Sequence, residues 1–185
     1  HQEARRQRQM CIRDSYDFHG RNRKPQIALA EAFGFADYAQ PAGGCCFLTD
    51  ETYSNKLADL WQARGERNYD LDDIMLLKIG RHIRPASNFK IIVGREEGEN
   101  RFLAGYRKRF VHLAVASHAG PLALIDGEPT QRDIELAARL LARYSQGRNA
   151  TTVVVSVTSQ DGASHDLEVA PLQPHEVKTS WHVGT

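Results

Sequence analysis

The sequence predicts an α+β fold, with a mostly antiparallel sheet and helices on one face. Short apolar stretches recur between residues 82 and 169, turn residues separate them, and amphipathic helical patterns lie among them. Strands joined by short turns pair antiparallel, and helices cover the apolar face of such a sheet. The 185 residues are 41% hydrophobic, which is enough for a packed core.

The N-terminal part of the chain is predicted to be helical. Pro25 suits the first position of a helix, and residues 26–33 are good helix formers. A loop from Tyr38 to Cys46 follows. Thr49 or Asp50 is expected to cap a second helix that ends at Gly65.

The C-terminal part combines helices and strands. A third helix is predicted from Asp70 to Ile79, because acids at its start complement the helix dipole. The predicted strands cover residues 82–84, 89–93, 110–117, 122–125, 151–158 and 165–169, and the predicted helices cover 97–106 and 130–144.

Basic residues cluster in the middle of the chain. Between Lys78 and Arg109 there are nine basic and three acidic residues, although the net charge of the whole chain is only +1. Such a stripe can contact RNA phosphates, and a solvated surface is the alternative. The candidate RNA contacts are Arg21, Arg23, Lys24, Arg81, Arg84, Lys90, Arg95, Arg107, Lys108 and Arg109.

Two adjacent cysteines, Cys45 and Cys46, follow Gly43 and Gly44 and precede a helix-start signal. Helix N-termini lower the pKa of a thiol, which favours the reactive thiolate. A free cysteine can equally be a small buried hydrophobe, and both interpretations remain open. No metal is predicted, because adjacent cysteines do not spread over a tetrahedron.

The sequence favours a cytoplasmic protein. Three cysteines imply no disulfide framework, and no apolar run approaches the ~20 residues of a membrane span, so no membrane partner is expected. The polar first residues lack the apolar core of a signal peptide.

The first fifteen residues are expected to be a non-native tail. The segment from Arg5 to Ser15 resembles translated sequencing-adapter sequence. Cys11 and the arginines of this segment therefore carry no functional weight. We expect the native chain to begin near Tyr16, as the tail of a longer protein.

The middle and C-terminal parts resemble the NFACT RNA-binding domain. Val93-Gly94-Arg95 with Asn100 through Leu103 is similar to the Val-Gly-Arg-Asn…Asn-Glu-x-Leu signature of that family, with Glu96 in place of its Asn. Gly120 through Ile125 and the Ala-Ala helix that ends in Tyr144-Ser145 follow the order of that domain. The resemblance implies binding to tRNA or another structured RNA through its backbone.

The upstream part resembles the end of a PP-loop ATPase of the tRNA-thiolation kind. Residues 21–26 and 41–45 are similar to segments of bacterial thiouridine-synthase-like proteins, and Gly44 through Leu48 is similar to the Gly-x-Cys-Phe-Ile segment of tRNA 2-thiouridylases. The resemblance implies that Cys45 or Cys46 carries a persulfide as the catalytic group, with ATP as cofactor in the full-length protein and a possible sulfur-donor protein as partner. The ATPase phosphate loop is absent from this chain, so no complete active site is expected.

These resemblances predict a chain in three parts: a tail at residues 1–15, a remnant of a PP-loop ATPase domain at 16–69, and an NFACT-type RNA-binding domain at 70–185. Two functions fit. The first is the RNA-binding C-terminal portion of a tRNA sulfur-transfer protein. The second is a non-catalytic RNA- or ribosome-binding module of the NFACT quality-control type.

Overall fold

The computed structural model describes residues 24–35 and 50–184, and the chain divides into two units at residues 43 and 44. In the first unit it describes one helix, α1 (Lys24–Ala32), which has no buried residue. Gly34 follows with a φ of 75°, a left-handed conformation that glycine adopts without strain. The predicted helix and its glycine stop are thus confirmed, whereas the origin of α1 in a PP-loop ATPase stays a prediction.

The second unit contains a seven-stranded sheet and the remaining helices of the described residues. Its strands follow the order β6-β5-β3-β4-β2-β1-β7, and every pairing among the described residues is antiparallel. The elements are α2 (Glu51–Arg64), α3 (Leu71–Leu77), β1 (Arg81–Ala86), β2 (Phe89–Val93), α4 (Glu97–Ala104), β3 (Val111–Val115), β4 (Leu122–Gly127), α5 (Gln131–Arg143), β5 (Val153–Thr158), β6 (Ser164–Val169) and β7 (His182–Val183). The α+β class and the antiparallel sheet are confirmed.

The helices lie on both faces of the sheet, which differs from the one-face expectation. Ile91 of β2 belongs to the cluster that α5 covers, whereas the adjacent Ile92 packs with Leu76 and Leu103 of α3 and α4. Every residue of β2 is buried. A strand with apolar side chains in succession has two faces to cover, so a single helical layer does not suffice.

The helix starts follow the sequence signals. The carboxylate of Asp50 accepts a hydrogen bond from the Tyr53 amide at 2.9 Å and caps α2. α5 begins with a reciprocal capping box between Thr130 and Asp133. Such caps satisfy amides that have no partner within the helix.

α2 packs in the same unit as the sheet. Tyr53, Leu57 and Leu60 form a buried cluster with Leu77 of α3. The buried Lys56 donates from Nζ to the carbonyls of Leu77 and Gly80 at 3.2 and 3.4 Å. The predicted family boundary between residues 69 and 70 stays a prediction, but α2 is physically part of the C-terminal unit.

The C-terminal segment contains structure that the sequence did not indicate. Two short 3₁₀ helices, Pro174–Glu176 and Thr179–Trp181, lead into β7. β7 then pairs with β1 at the sheet edge. Among the described residues, no helix has the length and apolarity needed to cross a bilayer.

Candidate nucleic-acid interface

A groove opens at one end of the sheet, where β1 begins, β2 ends and β4 begins. Its volume is about 740 Å³, within the range of ligand sites. We call it the arginine groove after the four arginines among its lining residues, which are Arg81, Arg95, Arg143 and Arg148. They come from a strand, two loops and the end of α5, so the fold brings together residues that are far apart in sequence.

The β1–β2 side of the groove is held by one carboxylate. Glu99 accepts hydrogen bonds from the backbone amides of Gly80 at 3.2 Å and Arg95 at 2.6 Å. The Arg95 side chain turns back and donates from Nη2 to the carbonyl of Gly80 at 2.9 Å. Arg95 is exposed, so its remaining guanidinium donors are available to a ligand.

The floor of the groove depends on a close approach at Gly94. The Asn100 Oδ1 atom accepts a hydrogen bond from the Leu122 amide at 3.0 Å and thereby joins α4 to β4. A Cβ atom at Gly94 would lie 2.1 Å from that oxygen. A side chain at Gly94 would displace the Asn100 amide, so the absence of a side chain there allows the hydrogen bond between Asn100 and Leu122.

The opposite side is built by the end of α5 and the loop before β4. The Ser145 hydroxyl donates to the Ala142 carbonyl at 2.7 Å and accepts from the Gly147 amide at 2.9 Å. The Gln146 amide donates to the Ala119 carbonyl at 2.8 Å. These bonds fix the loop that carries Arg148, so this wall exists before any ligand binds.

The groove has an excess of unpaired positive charge. The Arg81 guanidinium lies 5.1 Å from the centroid of the Tyr144 ring, a cation–π distance. In residues 24–35 and 50–184, neither Arg81, Arg143 nor Arg148 forms an ion pair. Unneutralised arginines in a concave surface attract phosphate.

Two carboxylates and one phenol complete the chemistry of the groove. Glu97 pairs with Arg101 at 2.8 Å, whereas Glu96 has no such partner among the described residues. Burial raises the pKa of Tyr144, so its hydroxyl is protonated at neutral pH and can donate a hydrogen bond. The described residues contain no His, Cys, Asp and Glu cluster that could hold a metal ion.

Arg84 and Lys90 face an internal acid instead of a surface. Arg84 donates to both Asp59 carboxylate oxygens, at 2.5 and 2.9 Å. Lys90 is only 1% exposed and lies 3.4 Å from Asp59 and 3.6 Å from Asp126. Lys90 therefore cannot reach a phosphate in this structure, and we leave both residues out of the candidate interface.

Arg107, Lys108 and Arg109 lie at the other end of the sheet. They directly precede β3, whose first residue Val111 pairs with Ile125, whereas Arg81 pairs with Val93 at the groove end. Val93 pairs with Ala123, so Val111 lies two residues further from the groove end than Arg81, about 7 Å at roughly 3.3 Å per residue, and Arg107 to Arg109 come before it. Arg109 also pairs with Asp70 and Asp72, at 2.9 and 3.0 Å. The predicted stripe is therefore divided, with only Arg81 and Arg95 in the groove.

The remaining predicted site residues belong to the N-terminal part. Lys24 begins α1. Arg21, Arg23, Cys45 and Cys46 lie outside the described residues, so their predicted roles in RNA contact and thiolate chemistry stay predictions.

Sequence reasoning missed Arg143, Tyr144 and Arg148 as site residues. A basic residue in the last turn of a helix is ordinarily explained by the helix dipole. A usable signal was present, because Arg143-Tyr144-Ser145 lies in the helix end for which the sequence showed a resemblance, and another arginine follows three residues after Ser145.

Comparison with known proteins identifies one family and one solved structure that the chain resembles. The family described as NFACT protein RNA binding domain matches residues 80–182, which contain every arginine of the groove. No curated protein matches the chain. A solved structure described as the C-terminal of the fibronectin/fibrinogen-binding protein from Streptococcus suis (FBPS) is 18% identical, with a TM-score of 0.49, over 57% of this chain.

The chain spans half the length of that solved chain. None of these comparisons links it to a thiouridine synthase or a PP-loop ATPase. The match to residues 80–182 covers more than half of the sequence. The chain belongs to the NFACT RNA-binding domain family.

Proposed function

We propose that this chain binds structured RNA such as tRNA by its phosphate backbone, and that the arginine groove is the contact surface. The observation that carries the proposal is the set of three groove arginines, Arg81, Arg143 and Arg148, which have no carboxylate partner among the described residues. Arginine presents several donors in a planar fork that matches phosphate.

The proposal also explains why net charge is a poor guide for this protein. Arg84, Lys90 and Arg109 are neutralised by Asp59, Asp70 and neighbouring carboxylates. The groove arginines are not neutralised in this way, so they form a local positive field on a nearly neutral chain. Backbone contacts of this kind provide affinity and salt dependence, with little choice of sequence.

A direct test is to titrate fluorescently labelled tRNA with the full chain at several salt concentrations. Three or four phosphate contacts predict a slope of log K against log salt of about −2 to −4. Arg143→Gln should weaken binding about three- to tenfold. Arg132→Gln is the matched control, because Arg132 is an exposed arginine near the start of the same helix. Equal effects of both variants, or salt-independent binding, would overturn the proposal.

A narrower hypothesis places the RNA-binding domain in a tRNA-thiolation protein. Its support is the Gly43-Gly44-Cys45-Cys46 segment, which suits a reactive sulfur. The test is the rate of alkylation against pH. A thiol with a pKa well below 8.5 supports sulfur transfer, whereas two unreactive thiols favour a non-catalytic module of the quality-control type. ATP and a sulfur-donor protein belong to this hypothesis alone.

A further inference from the structure

We infer that the arginine groove accepts an unstacked nucleotide of a single-stranded RNA segment, whose base stacks on the Arg81–Tyr144 pair. This inference rests on the proposed function and specifies which part of a structured RNA enters the groove. It makes a claim that backbone binding alone does not make, namely that a base contributes to affinity.

The volume of the groove suits a single-stranded nucleotide better than a duplex. A groove of about 740 Å³ is far larger than one phosphate requires and has room for a whole nucleotide. The bases of an A-form duplex are stacked inside the helix, and its exposed surface is formed by phosphates and 2′-hydroxyls. A duplex therefore leaves a groove of this volume largely unfilled, whereas a single strand can place a base in it.

The Arg81–Tyr144 pair consists of the two kinds of planar group on which bases stack. Two flat groups meet across the groove, with the guanidinium of Arg81 5.1 Å from the centroid of the Tyr144 ring. Guanidinium and aromatic planes are the surfaces on which proteins stack unpaired bases. Arg81 has no carboxylate partner among the described residues, so a base on its outer face meets no competing ion pair.

Positive charge in the groove lies next to the Arg81–Tyr144 pair. Arg143 and Arg148 lie beside Tyr144 at the end of α5, so a phosphate adjoining the stacked base can reach them. The exposed Gln146 side chain lines the same wall and can hydrogen-bond to a base edge. The groove thus offers a stacking surface, anion donors and a polar side chain, which are the three parts that a nucleotide needs.

Contacts within the protein hold the groove in shape before any ligand binds. The contacts at Gly94 and Gly120 leave no space for a side chain, since a Cβ atom would lie 2.1 Å from Asn100 and 2.8 Å from Val115, respectively. Hydrogen bonds from Ser145 and Gln146 hold the opposite wall. A preformed site loses less conformational entropy when it binds a flexible single strand.

The test uses two labelled RNAs with the full chain: an unstructured single strand of about eight nucleotides and a hairpin whose fully paired stem is closed by a non-nucleotide linker. Arg81→Lys keeps the positive charge but removes the planar stacking surface. We expect it to weaken single-strand binding at least fivefold, because base stacking contributes ~1–3 kcal/mol. Hairpin binding should change by less than twofold. Arg132→Lys, at an exposed arginine outside the groove, is the control and should change the binding of neither RNA.

A second variant removes the other half of the pair. Tyr144→Leu keeps an apolar side chain against the core and should reproduce the selective loss. Tyr69→Leu, an exposed tyrosine outside the groove, should not. Equal losses for both RNAs, or no loss for the single strand, would overturn this inference while leaving RNA binding intact. Failure of both RNAs to bind the unsubstituted chain would instead overturn the proposed function.

Discussion

Arg81 and Tyr144 meet across the groove, with the guanidinium 5.1 Å from the ring centroid, although one residue starts a strand and the other follows a helix. The contact exists because β1 and the end of α5 reach the same end of the sheet. Arg81 was predicted as a site residue from the basic segment of the sequence, whereas Tyr144 was not predicted. The proposed RNA-binding surface is therefore a property of the fold and not of one charged segment.

Glu96 should weaken RNA binding. It lines the groove without an ion-pair partner among the described residues, and it stands where the signature that this segment resembles has Asn. Removing a negative charge near four arginines reduces repulsion of phosphate. We expect Glu96→Gln to increase affinity for tRNA about two- to fivefold at low salt. Glu128→Gln, at the opposite end of the sheet, should leave affinity unchanged, and an increase with that control would indicate a non-specific charge effect.

Lys90 should matter for stability and not for RNA. Burial acts to raise the pKa of Asp59, but the hydrogen bonds and charges of Arg84 and Lys90 outweigh it and lower the pKa. Asp59→Asn leaves the buried Lys90 ammonium with only Asp126. We expect a loss of about 3 kcal/mol in the free energy of unfolding, measured with urea. Lys90→Met should fold and bind tRNA with unchanged affinity; weaker binding by a folded variant would contradict this assignment.

His82 should make the protein less stable in acid. The ring is 2% exposed, and its Nε2 lies 3.2 and 3.0 Å from the carbonyls of Leu76 and Ile79, which identifies the neutral ring with a proton on Nε2. Burial, with the charges of Lys90 and Lys56, holds the pKa well below 6.5. Below that pH the unfolded chain binds a proton that the folded chain does not, so stability falls by up to about 1.4 kcal/mol per pH unit.

The measurement is urea unfolding at pH 7.0 and pH 5.5, with His82→Gln as the comparison. Glutamine retains an N–H donor but does not titrate. The pH-dependent loss should be smaller in His82→Gln by about 1 kcal/mol. Identical losses in both proteins would show that other groups control the acid response.

Lys56 should make the stability of the protein depend on pH in the alkaline range. Burial and the charge of Arg95 lower its pKa to about 8. Between that value and 10.5 the unfolded chain retains the proton that the folded chain releases, so stability should rise with pH. From pH 7.5 to 9.5 we expect a gain of about 1–2 kcal/mol relative to Lys56→Met. Calorimetry or urea unfolding at the two pH values tests this, and parallel stability curves for the two proteins would contradict it.

Most of the fold was predictable because its signals are local. Asp50, Gly65 and Thr130 mark helix ends by hydrogen-bonding and backbone rules that involve only a few residues. The second helical layer was missed although β2, from Phe89 to Val93, is apolar at every position except Lys90. That lysine resembles a solvated residue in sequence, but its ammonium is matched by Asp59 from a distant helix.

The site was only partly predictable. Arg81 and Arg95 were found as members of a basic segment, but which charges are neutralised depends on contacts between distant elements. Arg84 illustrates this. The sequence gives no reason to treat Arg84 differently from Arg81, and yet the guanidinium of Arg84 forms an ion pair with Asp59. Arg143 and Arg148 were missed because only the return of α5 to the groove end of the sheet brings them beside Arg81.

The most direct test compares two double variants that each remove two positive charges, Arg143→Gln with Arg148→Gln in the groove and Arg107→Gln with Lys108→Gln at the other end of the sheet. Affinity for tRNA is measured from about 50 to 200 mM salt. If the groove is the contact surface, the first pair lowers affinity more than tenfold and reduces the magnitude of the salt slope by about 1–2. The second pair changes affinity less than threefold. The reverse order, or equal losses from both pairs, would contradict the account.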